Sequence, residues 1–333
     1  MKRILVIRQH DQLGDMLCAV PLLRALRQRY PSSSITLVTS PVNDAIMQHH
    51  PLVDEVLLYD KSWWLGVLKF VLALRARHYD LSVVPVTVSL SFTSDLLSVF
   101  SGARHRVGAS ALNGIENPSA FCHTIRATPD WRGEAHRHQT LRNLDILKPA
   151  GFTTEQLEHS VGITQKEEAE AKAMLAELWK THSLIIGFHP GAGKPENRWP
   201  AERFAELVNR LHQDYQAGIV VTCGPMDEEP FAQMMKNLQV PFLAIERKPL
   251  RTVAAVINEL DLYVTNDTGV LHVAGGTKAN VLALFGPTDP LQWAPIGRKN
   301  RYIAGKDGTM SSIVIDDVYS MIEIILAEAG KRR

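Results

Sequence analysis

The sequence predicts an α/β protein made of two doubly wound, parallel-sheet domains, and three observations carry that reading. Apolar runs of strand length alternate with helix-period segments from the first residues onward, the pattern of repeated βαβ units. At 333 residues the chain exceeds one domain of ordinary size. After a charge-rich helical stretch at residues 165–182 the alternation begins again, so the boundary falls within 155–166 and the domains at 1–160 and 161–333.

The first half opens with a strand at 3–8 and a helix at 14–30, whose apolar face is Met16, Leu17, Val20, Leu23 and Leu26 and which Pro31 stops. Strands follow at 35–39 and 53–59, an apolar helix at 63–74, a strand at 81–86, a helix at 93–100 and a short strand at 105–108. Residues 109–134 show no clear period; an irregular stretch of that length is a candidate acceptor loop. In the second half, strands are expected at 184–188, 219–223, 242–245, 262–265 and 281–285, with helices between them. The last helix, about 317–328, is free to cross back onto the first domain.

Hydrophobic residues at 45% and charged residues at 21% suit a folded protein, and a net charge of +1 argues against a dedicated nucleic-acid binder. Cys18, Cys122 and Cys223 lie far apart without a CxxC pair, which indicates neither a zinc site nor a disulfide framework and suits a reducing cytoplasm. The opening residues hold too short an apolar run for a signal-peptide core. The 63–74 segment falls short of the roughly 20 residues of a membrane span and contains Lys69. It reads as an amphipathic helix ending in Arg75, Arg77 and His78; core packing is the preferred account, and rest on an anionic bilayer surface the alternative.

Polar residues sit where predicted strands meet helices. Asp267, Thr268 and Gly269 form a turn after the 262–265 strand, with His272 one helical turn further on. Unpaired amides at Thr268 and Gly269 and the positive end of the helix dipole favour a pyrophosphate, although for this motif taken alone a plain helix cap and a packing histidine are the preferred reading. Residues 286–290, Gly-Pro-Thr-Asp-Pro, place a second polar loop after the next strand, on the same sheet edge, and tip the balance towards a ligand. Residues 189–200 combine His189 and a turn around Gly191 with Lys194 and Arg198, cations suited to phosphate. Asp227 and Glu228 read either as carboxylates for ribose hydroxyls or a base edge, or as a solvated helix start.

In the first half, the loop after the opening strand has one glycine where a dinucleotide fingerprint has three, which disfavours a nicotinamide site. Asp15 stands at the first turn of the following helix, where the dipole keeps a carboxylate ionised and able to take a hydroxyl proton; a helix cap is the equal alternative, and Asp11, mid-loop, the weaker competitor. Arg8, Gln9 and His10 are candidates to position an anionic acceptor.

Four pieces of the sequence together resemble bacterial glycosyltransferase family 9, the ADP-heptose:lipopolysaccharide heptosyltransferases: residues 13–21, residues 188–192 with 198–200, residues 266–272 and residues 285–290. The resemblance implies a GT-B fold, two facing Rossmann-like domains, with the acceptor on the first and the nucleotide sugar on the second. It implies inverting transfer without a metal or other cofactor, and the sequence holds no D-x-D triplet. Asp15 would be the general base; Arg198 and Lys194 would stabilise the leaving pyrophosphate; Asp267, Thr268, Gly269 and His272 would bind the donor, with His189, Gly191, Asp227 and Glu228 beside them.

The resemblance further implies an ADP-sugar and an anionic glycolipid as partners, and a cytoplasmic protein in peripheral contact with the inner membrane. The chain departs from the family in its Gly-Ala-Gly turn at residues 191–193, where relatives with a threonine-rich turn carry hydroxyls. Arg104, Arg106, Arg126, Arg132, Arg137 and Arg142 cluster in or beside the aperiodic stretch and suit a phosphorylated or carboxylated acceptor, or are ordinary surface arginines. A nucleotide-sugar 2-epimerase with two such domains and a catalytically silent nucleotide-binding relative are the alternative functions.

Overall fold

Ile4, Leu5, Val6 and Ile7 are all buried, which requires the first strand to be covered on both faces, as a central strand of a parallel sheet is. The computed structural model describes residues 1–60 and 64–331. Two units divide the chain, Met1–Gly162 and Ile163–Arg333.

The strands of the first unit are β1 (Arg3–Ile7), β2 (Ser34–Thr39), β3 (Glu55–Leu58), β4 (Leu81–Val83), β5 (His105–Ala109), a small hairpin of β6 (Ala111–Leu112) and β7 (Ile115–Glu116), and β8 (Ile125–Ala127). Its helices are α1 (Leu13–Leu17), α2 (Val20–Arg29), α3 (Pro41–Met47), α4 (Trp64–Arg75), α5 (Phe92–Phe100) and α6 (Gln139–Asp145). Six strands pair in parallel in the order β3-β2-β1-β4-β5-β8, so strand order reverses between β1 and β4. Such a reversal opens a crevice at the carboxyl ends of the strands.

Several expectations are corrected here. The helix expected over 14–30 is two helices, α1 and α2: Pro21 has no N–H to offer the carbonyl of Leu17, and its fixed φ suits the first turn of a new helix. The strand expected over 81–86 ends at Val83, two residues before Pro85, which cannot donate to a ladder. The aperiodic 109–134 stretch is built structure, containing the hairpin, a 3-10 turn at Ala120–Cys122 and the edge strand β8. A buried carboxylate organises it: Asp95 on α5 accepts from Asn117 Nδ2 (3.0 Å) and Ser119 Oγ (2.6 Å) and lies 2.9 Å from His123 Nε2. Side-chain bonds to one acid leave no period in the sequence.

The α4 helix packs Val67, Phe70, Val71 and Leu74 against Tyr59, Val38 and Leu97, as the core-packing reading requires, while Leu68 and Leu72 stay 54% and 62% exposed. Trp63, where that helix was expected to begin, lies outside the described residues. Among the described residues no helix is long and apolar enough to cross a membrane.

The second unit begins with α7 (Gln165–Thr181), fixed at its start by a capping box in which Thr164 and Glu167 satisfy each other's backbone N–H groups. Then follow β9 (Ile185–His189), α8 (Ala201–Tyr215), β10 (Gly218–Cys223), α9 (Glu228–Asn237), β11 (Leu243–Glu246), α10 (Leu250–Asn258), β12 (Leu262–Asn266), α11 (Gly269–Gly275), β13 (Asn280–Phe285), α12 (Pro290–Trp293), β14 (Asn300–Ala304) and α13 (Ile315–Glu328). The parallel order β11-β10-β9-β12-β13-β14 repeats that of the first unit and reverses between β9 and β12.

Alternate strand residues feed the two layers of this unit. Ile186, Phe188, Val221, Val264 and Leu284 pack on α8 and α13, while Ile185, Val220, Tyr263 and Phe285 pack on α7, α10 and α11. In the last helix, Val318, Ile322 and Ile325 complete the core of the second unit, against Phe204, Leu207 and Leu211 of α8.

Candidate active site

In the first unit, the end of β1 and the start of α1 bring Arg8 and Asp15 together in the interior, 1% and 5% exposed. Arg8 Nη2 donates to Asp15 Oδ1 at 2.8 Å and to Thr87 Oγ1 at 3.2 Å, and Nη1 donates to the Pro85 carbonyl at 3.2 Å. Thr87 Oγ1 in turn donates to Asp15 Oδ1 at 3.2 Å. Burial pushes the Arg8 pKa down, opposed by the charge of Asp15. Arg8 is thus the counter-ion of Asp15 rather than an acceptor-facing cation, a correction to the sequence reading.

Its neighbours are also committed. Gln9 Nε2 donates to Ser94 Oγ at 2.7 Å, and the His10 carbonyl accepts from Ser40 Oγ at 3.2 Å and from Asn43 Nδ2. The His10 side chain lines a small pocket with Pro85, Ser89, Ser91, Asp95 and Asn117. Arg104 and Arg106 lie elsewhere, at the amino end of β5. Arg106 donates through Nε to the Cys122 carbonyl (2.6 Å) and through Nη1 to the Ala103 carbonyl (2.9 Å), holding its own loop. Similar local roles occupy Arg132, paired with Asp130, and Arg137, paired with Asp145.

In the second unit, loops after β9, β12 and β13 converge. Asn197 Nδ2 donates to Asp267 Oδ2 at 3.0 Å and to Thr288 Oγ1 at 3.4 Å. Burial pushes the Asp267 carboxyl up, against the hydrogen bond of Thr288 and the positive charge of Lys194. Asn266, fully buried, donates through Nδ2 to the carbonyls of Pro190 (2.8 Å) and Gly191 (3.2 Å) and accepts from the Trp199 N–H at 3.1 Å. Arg198 lies across the glycine turn: its Nε donates to the Ala192 carbonyl at 2.9 Å, and its Nη1 reaches Glu229 at 3.3 Å. Asn197, Asn266 and Thr288 were not singled out from the sequence as individual residues, although all three lie within the polar segments that were.

Thr268 is the extended N-cap of α11, and its side chain makes no capping bond. The amides of Gly269 and Val270 open that helix, where no intrahelical acceptor precedes them. His272 is buried, with its ring edge-on to Trp293 at 6.0 Å. Glu228 pairs with Arg247 at the surface. Asp227 is 8% exposed, which removes the reading of a solvated helix start. Its Oδ2 accepts from the Gly224 N–H at 2.9 Å and lies 3.5 Å from His189 Nε2. His189 is likewise enclosed, its pKa pushed down by burial and raised in part by Asp227.

The family model for glycosyltransferase family 9 (heptosyltransferase) matches residues 67–322. Lipopolysaccharide heptosyltransferase 3 of Escherichia coli K12 is 25% identical over 85% of this chain and 82% of its own length. Among solved structures, a family 9 glycosyl transferase from Veillonella parvula superposes with a TM-score of 0.84 at 23% identity, over 98% of this chain and 97% of that one. The Escherichia coli ADP-heptose lps heptosyltransferase II gives 0.81 at 23% identity, over 99% and 100%. The chain belongs to glycosyltransferase family 9, the heptosyltransferase family, and is a glycosyltransferase with that family's GT-B fold.

Proposed function

We propose that the enzyme transfers a heptose from ADP-heptose to a hydroxyl of a lipopolysaccharide-core acceptor, with inversion and without a metal ion. The donor and acceptor are those in the names of its relatives, and the residues suited to them lie in the loops described above. Asp15 takes the proton of the acceptor hydroxyl as that oxygen attacks the anomeric carbon. The bond from that carbon to the diphosphate breaks, and ADP leaves carrying the negative charge. Arg198, Lys194 and the first amides of α11 meet that charge, the main electrostatic demand of the reaction.

The observation that carries the reading is the setting of Asp15. Arg8 and Thr87 both donate to Oδ1, and among the described residues Oδ2 has no hydrogen-bond partner, which leaves it as the proton-accepting atom. Asp15→Asn keeps an oxygen for Arg8 and removes the base. Transfer should fall on the order of 10²- to 10⁴-fold while ADP binding measured by calorimetry is retained. Undiminished turnover in this variant excludes Asp15 as the base.

For the acceptor's setting we propose peripheral contact of α4 with the cytoplasmic face of the inner membrane, because Leu68 and Leu72 are exposed beside Lys69 and Arg75 on that helix. Co-sedimentation with anionic vesicles should be lost in the Leu68→Glu, Leu72→Glu double variant; equal sedimentation of both proteins refutes the contact.

A further inference from the structure

His189 at the end of β9, Thr222 on β10, Asp227 just before α9 and Tyr263 on β12 are all buried. Tyr263 on β12 is wholly buried, and its hydroxyl is 2.6 Å from Thr222 Oγ1 on β10. The two strands are not neighbours, because β9 runs between them. Gly187 of β9 makes the crossing possible: a Cβ at that position would overlap the ring of Tyr263. A glycine inside a buried strand otherwise weakens it, and close passage of another group is the reason to keep one.

Thr222 Oγ1 is also 3.0 Å from His189 Nδ1, and the Thr222 carbonyl is 3.1 Å from the same nitrogen. The imidazole's other nitrogen faces the Asp227 carboxylate. Burial lowers the pKa of this histidine. The Thr222 hydroxyl also donates to the Phe188 carbonyl at 3.3 Å, so this one oxygen joins β9, β10 and β12, and Nδ1 of His189 has an acceptor, the Thr222 carbonyl, as well as the hydroxyl beside it.

Asp227 stands beside the imidazole, 3.5 Å from Nε2, between two glycine-bearing loops. Its Oδ2 accepts from the Gly224 N–H, and its Oδ1 lies so close to Gly191 that a Cβ there would overlap it. We propose that Tyr263, Thr222, His189 and Asp227 form a buried polar cluster that positions the Gly191 and Gly224 loops around the donor nucleotide. The role as a donor clamp rests on the donor reading above. Asp227 and His189 are then positioning residues rather than groups that touch ADP.

Two measurements test it. In protein labelled with ¹⁵N-histidine, the Nδ1 signal of His189 should shift in Thr222→Val; an Nδ1 signal unmoved by the substitution overturns the cluster. In the second, Thr222→Val should raise the KM for ADP-heptose about tenfold, the effect of leaving one buried polar group unpaired, with kcat changed much less. Thr222→Ser, which keeps the hydroxyl, should restore the KM. Thermal melts run in parallel separate this from misfolding, and faster exchange of the Gly224 amide in Thr222→Val reads the loop directly. A folded Thr222→Val protein with normal KM and normal Gly224 exchange refutes the positioning role. Wild-type protein that neither binds ADP nor uses ADP-heptose refutes the donor reading instead, and the His189 Nδ1 signal and the Gly224 amide then decide whether the cluster exists.

Discussion

Replacing Arg8 by Met tests the electrostatic arrangement around Asp15 most directly. Methionine preserves most of the apolar stem and can fill the space flexibly, so the loss is chiefly that of the guanidinium. That group is 1% exposed and donates to four acceptors, Asp15 Oδ1, the Asp15 carbonyl, Thr87 Oγ1 and the Pro85 carbonyl. Its removal leaves a carboxylate in the interior without its counter-ion. Breaking a buried pair from one side costs about 3–5 kcal/mol.

For a unit of this size, about 2–4 °C of melting temperature accompanies each kcal/mol, so the transition of the first unit should fall by about 6–20 °C. Urea unfolding of the full chain, followed in parallel by calorimetry, gives both quantities. The Arg8→Met, Asp15→Asn double variant should be more stable than Arg8→Met alone, because no unpaired charge remains. A single Arg8→Met variant within about 0.5 kcal/mol of wild type, the range of ordinary surface changes, would show that Asp15 does not depend on this partner and would remove the reason for assigning its Oδ2 as the base.

Two further outcomes are expected. Burial pushes the Glu167 carboxyl up, but hydrogen bonds from Arg251 and Thr164 outweigh it and hold the group at about 2. A depressed carboxylate stabilises the fold above its unfolded pKa, about 4.3, and loses that contribution as pH falls towards 2; melts of Glu167→Gln and wild type should therefore differ at pH 6 and converge at pH 2. Gly108 on β5 faces the His123 ring so closely that a Cβ would overlap it, and Gly108→Ala should destabilise by about 1–3 kcal/mol in urea titration; an unchanged midpoint would mean that the 120–125 segment yields without cost.

The alternation of strands and helices was legible because it is written in local periodicity and turn chemistry. Thr164 and Glu167 announce α7, and the apolar runs of β9, β10, β12 and β13 each lie within a residue or so of the expected spans. Short edge strands such as β8 and β14 escaped notice because, partly exposed and interrupted by Arg126 and Arg301, they hold no apolar run. The loops at strand ends were legible as polar punctuation; Lys194, Arg198 and Asp267 lie in them, and Asp15 in the first turn of the helix that follows one. The arginines near residues 104–142 misled, because composition cannot distinguish a cation that faces a ligand from one that ties down its own loop, as Arg106 does through Cys122 and Ala103.

From the chain of residues alone came two repeats of a doubly wound sheet, the strand ends that carry chemistry and the family to which they belong. Tertiary structure alone decided how the polar groups at those ends are divided between ligand and protein. Arg8 meets Thr87 across 79 residues, Asn266 meets Gly191 across 75, and Thr222 meets Tyr263 across 41. Sheet order and register create each of these meetings, and a sequence carries no local mark of which distant strand will lie alongside. Once buried, a polar group must be paired, so that pairing, fixed by the fold, determines which side chains remain for the substrate.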